Sequence, residues 1–151
     1  MRVYEASLKY EATLFEVEGC VIDGPAKAAA YLADVPREYP YQETMWVILL
    51  DRKNHPIFRL LITKGTLTAS LVSPREVFTP ALLSGAAAVI CGHNHPSGSV
   101  EPSNADIQVT RILRDPGHIL GIELSDHIIL GDPTMDPKGR GWYSFREAGM
   151  I

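Results

Sequence analysis

The stretch Ala86–Thr110, "AAAVICGHNHPSGSVEPSNADIQVT", passes from an apolar run through a polar loop to a helix-like pattern. The first part, Ala86 to Gly92, reads as a short buried strand, since a brief apolar run between turn residues suits a strand covered on both faces. Beyond Pro102, "SNADIQVTRILRD" puts Ile107, Ile112 and Leu113 among the apolar positions of a helix that starts near Ser103. Pro116 and Gly117 are predicted to stop that helix. Strand, loop and helix in this order are the core of a layered arrangement of sheet and helices.

The loop carries the chemistry. His93 and His95 are one residue apart at a strand end, so in an extended chain both imidazoles point to the same side of the sheet. Two nitrogen ligands from one strand end suit zinc, and a catalytic zinc takes a third protein ligand while leaving a fourth position to water. Asp106, in the first turn of the next helix, is the candidate third ligand, with Pro96, Gly98 and Pro102 folding the loop back towards it. Ser103 and Asp106 also spell SxxD, a helix-capping box in which the carboxylate reaches back to the first backbone donor. One carboxylate is not expected to fill both roles easily.

The remaining polar residues near the loop have plainer expectations. Asn94 lies on the opposite side of the strand and is expected to fix a loop. Cys91 adjoins the apolar run and reads as a buried thiol rather than a fourth ligand. His127 follows Asp126 in "LSDHIIL", and a place behind the site or in the core is expected for either. His55 and His118 read as surface. The letters "HNH" do not make a nuclease site, because those residues are dispersed over a ββα motif in such enzymes.

Outward from the loop, "SPREVFTPALLSG" begins with Ser73 as N-cap and Pro74 at the first helical position, and ends at Gly85. "ETMWVILLD", Glu43 to Asp51, and "IFRLLITKG" from Ile57 flank the turn "DRKNHP" and are predicted to form a hairpin of two central strands. "PAKAAAYLAD" from Pro25 reads as a helix and "VPREYPYQ" after it as an irregular loop. Residues 2–9, "RVYEASLK", alternate like a half-buried strand, and "GIELSDHIILG", Gly121 to Gly131, forms another. The order β, α, β, β, α, β, α, β, with a less defined C-terminal piece, predicts an α/β (α+β) fold with a mixed sheet flanked by helices. Glu43 opens an apolar strand, where a carboxylate costs free energy unless it is solvated, paired or used. Strands often begin with a charged residue in solvent, and from its position alone that reading is preferred to a catalytic role.

With 151 residues, 46% of them hydrophobic and 21% charged, the chain is expected to be one domain over residues 1–151 with its own core. Fourteen Lys plus Arg against eighteen Asp plus Glu give a net charge of −4, which does not favour non-specific duplex binding. Cys20 and Cys91 form no CxxC pair and read as reduced thiols. No stretch reaches the roughly twenty apolar residues of a membrane span, and the N-terminus does not read as a signal peptide. A cytoplasmic protein is the expectation.

The spacing His93, one residue, His95, seven residues, Ser103, two residues, Asp106 fits the HxHx7SxxD signature of the JAMM (MPN+) metalloproteases. The segment "SPREVFTPALLSGAAAVICGHNHPSGSVEPSNADIQVTRIL" resembles the signature region of one branch, the RadC-like proteins. "QETMWVILLDRKNHPI", "TKGTL" and "GIELSDHIILG" resemble that branch's flanking segments. The resemblance covers roughly residues 25–132, the expected core of the domain. It implies a sheet with helices layered on both sides, similar to the cytidine-deaminase-like α/β/α folds. It also implies His93, His95 and Asp106 as zinc ligands, Glu43 as the general base that activates water, and Ser103 as the hydrogen-bond donor to the tetrahedral oxyanion.

Two departures accompany the likeness. Pro116 stands where RadC-like chains continue a helix, so an early end is expected, and no room is expected for the helix-hairpin-helix region of full-length RadC-like proteins. The implied activity is zinc-dependent hydrolysis of amide or isopeptide bonds in a protein or peptide substrate. The alternative is a non-catalytic DNA-associated or protein-interaction module, nominally linked to DNA repair by the family name.

Overall fold

A computed structural model describes residues 20–65, 67 and 72–151. Its elements are α1 (Pro25–Tyr31), α2 (Val35–Glu38), β1 (Thr44–Leu50), β2 (Pro56–Lys64) and α3 (Pro74–Ser84). β3 (Ala88–Asn94), α4 (Asn104–Leu120), β4 (Glu123–Leu130) and β5 (Trp142–Ser144) follow. The strands form one sheet in the order β2-β1-β3-β4-β5. β3 and β4 are parallel and the other neighbours antiparallel, so the sheet is mixed. The predicted hairpin is present, but β2 lies at one end of the described sheet instead of the centre, because β3 takes the other side of β1. The strand predicted for residues 2–9 lies outside the described residues.

Alternation along the central strands divides the core between two faces. Met45, Val47, Leu49, Val89 and Cys91 pack on α3 and α4 through Val77, Phe78, Val109 and Leu113. Ile48, Leu50, Ile90, Ile128 and Leu130 pack on the other face against Ala28 and Ala29 of α1, Leu32 at its C-cap and Val35 of α2. This gives helix, sheet and helix layers, as period-two strands buried on both faces require. β3 and β4 are parallel and joined through α4, and the C-terminal ends of such strands are where open α/β sheets bind ligands.

Two helix expectations are corrected. "VPREYPYQ" is not wholly irregular, since α2 forms within it and Pro36 occupies the first turn, where no backbone donor is needed. Pro116 does not end α4, which continues to Leu120 and stops at Gly121 in the left-handed conformation. Tertiary packing carries the helix through the proline. Gly117 is buried, and a Cβ there would lie 2.6 Å from the Ile122 carbonyl and 3.1 Å from Phe78, so the helix end is held close to its neighbours. The reading of α3 agrees at both ends, with Ser73 accepting from the Arg75 amide and Gly85 left-handed.

A bidentate ion pair ties the α1–α2 turn to β2, with Arg59 Nη1 and Nη2 donating to the two oxygens of Asp34 at 2.8 and 2.7 Å. Burial alone would raise the Asp34 carboxyl, but the hydrogen bonds and charge of Arg59 outweigh it and hold the group below its ordinary value. A depressed carboxylate contributes stability above its unfolded pKa of about 3.9 and loses it as pH falls through the lower folded value. Asp34→Asn is therefore expected to cost about 1 kcal/mol at neutral pH. Urea melts at neutral and acidic pH check this, and the difference from wild type should shrink in acid.

Candidate metal centre

β3 runs two residues beyond its predicted end, so His93 lies within the strand and His95 just past it. His93 is fully buried, and the two Nε2 atoms face each other at 2.9 Å. His95 Nδ1 lies 2.8 Å from the Ser99 carbonyl, which can only accept, so Nδ1 carries the proton and Nε2 of neutral His95 keeps its lone pair. The loop turns back through a hydrogen bond from the Gly98 amide to the His95 carbonyl, with Gly98 at φ +83°. A side chain there would be strained and would meet the Met135 sulfur at 2.8 Å.

Asp106 arrives from the first turn of α4 and is 1% exposed. Its Oδ1 lies 3.1 Å from His93 Nε2, and its Oδ2 lies 3.5 Å from His95 Nε2. Oδ2 also accepts from the Ser103 amide and hydroxyl, both at 2.7 Å, while the Asp106 amide donates to Ser103 Oγ at 3.2 Å. One carboxylate thus closes the capping box and also reaches both histidines, which the sequence did not lead one to expect. The oxygens divide the work, with Oδ2 closing the capping box and Oδ1 turned towards His93. Ser103 caps the helix and gives its hydroxyl proton to Asp106.

Glu43 reaches the same place through strand register. β1 and β3 are antiparallel with Met45 opposite His93, so Glu43, two residues earlier, comes opposite His95 and on the same face. One donor atom from each of Glu43, His93, His95 and Asp106 lies within 4.8 Å of all the others. Asn94 points to the other face, as expected, but the loop it fixes is the one leading to Glu43. Its Oδ1 accepts from the Thr44 amide and hydroxyl at 2.9 and 2.8 Å, and its Nδ2 donates to the carbonyls of Tyr39 and Gln42 at 3.0 and 2.9 Å. Asn94→Leu leaves the buried Thr44 amide and hydroxyl without this partner and is expected to cost about 2–4 kcal/mol, since each unmet buried partner costs roughly 1–3 kcal/mol. Chemical denaturation measures the loss.

The electrostatics fit a cation. Burial would raise the Asp106 carboxyl, but in the metal-free protein His93 and His95, when an imidazole carries a second proton towards it, and the Ser103 hydroxyl hold it well below the usual carboxylate range. Burial would lower His95, but Asp106, the Ser99 carbonyl and the charge of Glu43 raise it above its ordinary value. His127 is fully buried and is driven well below the ordinary histidine value, by burial first and then by the neighbouring His93. It stands behind His93, its Nε2 2.9 Å from His93 Nδ1, and its Nδ1 is 2.7 Å from the Thr110 hydroxyl. No motif pointed to Thr110, whose one signal is its spacing of four residues from Asp106 along α4. Asp126 points elsewhere, accepting from Ser144 Oγ and from the backbone amides of His127 and Arg146. Burial pushes the Cys91 thiol far up, and it does not join the cluster. His55 pairs with Asp51 at the surface, and His118 is exposed.

Two imidazole nitrogens and a carboxylate converging in a buried crevice, with a second carboxylate beside them, fit a divalent metal such as zinc. A mixed sheet between helix layers, with this cluster at the end of its central strand, defines a JAB (MPN) type of domain. The RadC-like JAB domain model matches residues 22–150, and the chain belongs to that family. A UPF0758 protein of Shouchella clausii is 48% identical over 125 residues, covering 82% of this chain and 54% of that protein. A UPF0758 protein of Geobacillus kaustophilus is 48% identical over 131 residues, covering 87% of this chain and 54% of that protein. For one from Chlorobaculum tepidum the identity is 46% over 110 residues, covering 73% and 46%. The chain thus spans about half the length of the curated relatives it matches. Among the described residues, no helix is long and apolar enough to cross a membrane.

Proposed function

We propose that the protein is a zinc-dependent hydrolase of amide or isopeptide bonds, acting on a protein or peptide substrate. The observation that carries this reading is the convergence of Glu43, His93, His95 and Asp106 on one point. His93, His95 and Asp106 would hold the ion. When bound, zinc lowers the pKa of a water from about 15.7 towards roughly 7 and polarises the scissile carbonyl.

The chain's own residues supply the rest. Glu43 is the general base, its carboxylate taking the proton of the attacking water and passing it to the leaving amine. Ser103 is the donor to the oxyanion, which requires its hydroxyl to rotate from Asp106 Oδ2 towards the substrate. Cavities of about 300 Å³, lined in part by Tyr39, Pro40 and His95, and about 270 Å³, lined in part by Ser99, Pro102 and Trp142, flank the His95–Ser99 loop. The net charge of −4 gives no support to a nucleic-acid substrate. Two free cysteines, one of them buried, suit the reducing cytoplasm.

Elemental analysis of the purified protein is expected to find about one zinc per chain, as a single site of this kind takes one ion. Peptide-library cleavage should be lost with EDTA and return with added zinc. A protein that retains no divalent metal on reconstitution would rule the reading out.

A further inference from the structure

Behind the cluster, a hydrogen-bonded chain runs from α4 to His93 with its direction fixed at one end. The Asp106 carbonyl can only accept, so the Thr110 hydroxyl gives its single proton to it at 2.8 Å. Towards His127 Nδ1, 2.7 Å away, Thr110 Oγ is therefore the acceptor, and Nδ1 carries a hydrogen. A neutral imidazole has one N–H, which leaves His127 Nε2 as an acceptor. Its neighbour at 2.9 Å, His93 Nδ1, must then be the donor. His93 in its neutral form is left with a bare Nε2, the atom that faces Asp106 Oδ1 and His95 Nε2.

We propose that His127, oriented by Thr110, is a positioning residue that sets the tautomer of His93 and so presents the His93 Nε2 lone pair to the metal. The inference rests on the metal-centre reading above and goes beyond it, since it assigns work to two residues outside the cluster. Thr110 is 2% exposed and His127 and His93 are fully buried, so water has little access to reverse the donors. His127 stacks on Phe145 with ring centroids 4.7 Å apart and an interplanar angle of 12°, which holds its ring plane. Among the hydrogen bonds and ring contacts of the described residues, the His127 ring meets Thr110, His93 and Phe145 and no carboxylate. A metal-bound histidine commonly donates its other N–H to a carboxylate or carbonyl; here the acceptor is a second histidine whose own tautomer is dictated by a threonine. The relay begins at the backbone of Asp106, so α4 delivers both a carboxylate ligand and the group that orients a neighbouring ligand.

The test uses the zinc-loaded protein, with ¹⁵N-labelled histidine for long-range ¹H–¹⁵N spectra and zinc affinity measured by chelator competition. In wild type, His93 should carry its proton on Nδ1, slow to exchange. Thr110→Val removes the acceptor for His127 and should weaken zinc binding roughly 10–100-fold, the usual cost of losing such an outer partner. Thr110→Ser restores the hydroxyl and should restore the affinity. Thr110→Val that melts at lower temperature but binds zinc like wild type would reduce the relay to a structural feature and overturn the inference. A wild-type spectrum lacking the His93 Nδ1 proton would overturn it without recourse to any variant. Wild type that binds no zinc would remove the proposed function as well, whereas zinc binding insensitive to Thr110 would leave that function standing.

Discussion

Glu43→Gln is expected to lower peptide hydrolysis by about 10²–10⁴-fold, the usual contribution of a positioned general base, while zinc stays bound. Glutamine keeps the size of the side chain and one carbonyl oxygen but cannot accept the proton at neutral pH. The four donor atoms lie within 4.8 Å of one another, so Glu43 is also near enough to be a fourth ligand that closes the site. Measuring zinc content and turnover on the same variant separates the two arrangements. A base gives inactive protein with normal zinc affinity, and a ligand gives inactive protein that also sheds its metal. Retained turnover would end the catalytic assignment altogether. A closed set of four protein ligands is the mark of a structural zinc, so the variant also distinguishes a hydrolase from a metal-stabilised fold.

Why Glu43 needs an experiment at all is a matter of how far local sequence reaches. His93, His95 and Asp106 are tied by short-range geometry: strand alternation aligns the two histidines, and the N-cap at Ser103 places Asp106 one turn inside the next helix. Both rules act within a few residues and are legible in the letters HxHx7SxxD. Glu43 joins them through the pairing of Met45 with His93, a register between strands that belongs to the folded sheet. Read alone, Glu43 was more readily a solvated strand start, and the likeness to RadC-like chains brought it to the site. Thr110 had no such help, because a threonine four residues after Asp106 is unremarkable until His127 of β4 lies beside it.

The fold divides in the same way. Caps and alternation gave α3 at both ends and β1 to β4 to within a few residues, since Ser73, Gly85 and the apolar runs act locally, whereas the three-residue β5 was not predicted. Pro116 was misread because its local penalty is real but smaller than the packing of Val109, Leu113 and Gly117 on the sheet side of α4. The place of β2 at the sheet end depended on β3 claiming the other side of β1, a choice made by long-range pairing. Asp106 is a different case. A capping box and a ligand were weighed as rivals, although a carboxylate has two oxygens and α4 approaches the histidines at an angle that uses both.

Asp106→Asn is expected to remove more function than any change outside the cluster, because it takes away a ligand, a buried charge and part of a helix cap together. Zinc affinity should fall by more than the roughly 10–100-fold that loss of an outer partner costs. The pH dependence of the metal-free protein should change with it. Asp106 has a depressed folded pKa, so its contribution is present above the unfolded value of about 3.9 and is lost as acid protonates the folded group. His95 has a raised folded pKa, so its contribution is complete below the unfolded value of about 6.5 and fades as pH climbs through the folded one. Together they give metal-free wild type extra stability from about pH 4 to about pH 6.5. Zinc replaces the proton on His95, so zinc binding should release protons and strengthen as pH rises past the folded value of His95. In Asp106→Asn the acidic optimum of the metal-free protein should flatten and the added stability from zinc at neutral pH should largely vanish. Thermal melts from pH 4 to 8, with and without zinc, read both effects. If the variant kept the wild-type response to zinc, Asp106 would be a helix cap that happens to stand beside two histidines, and the ion would have to be held by His93, His95 and Glu43.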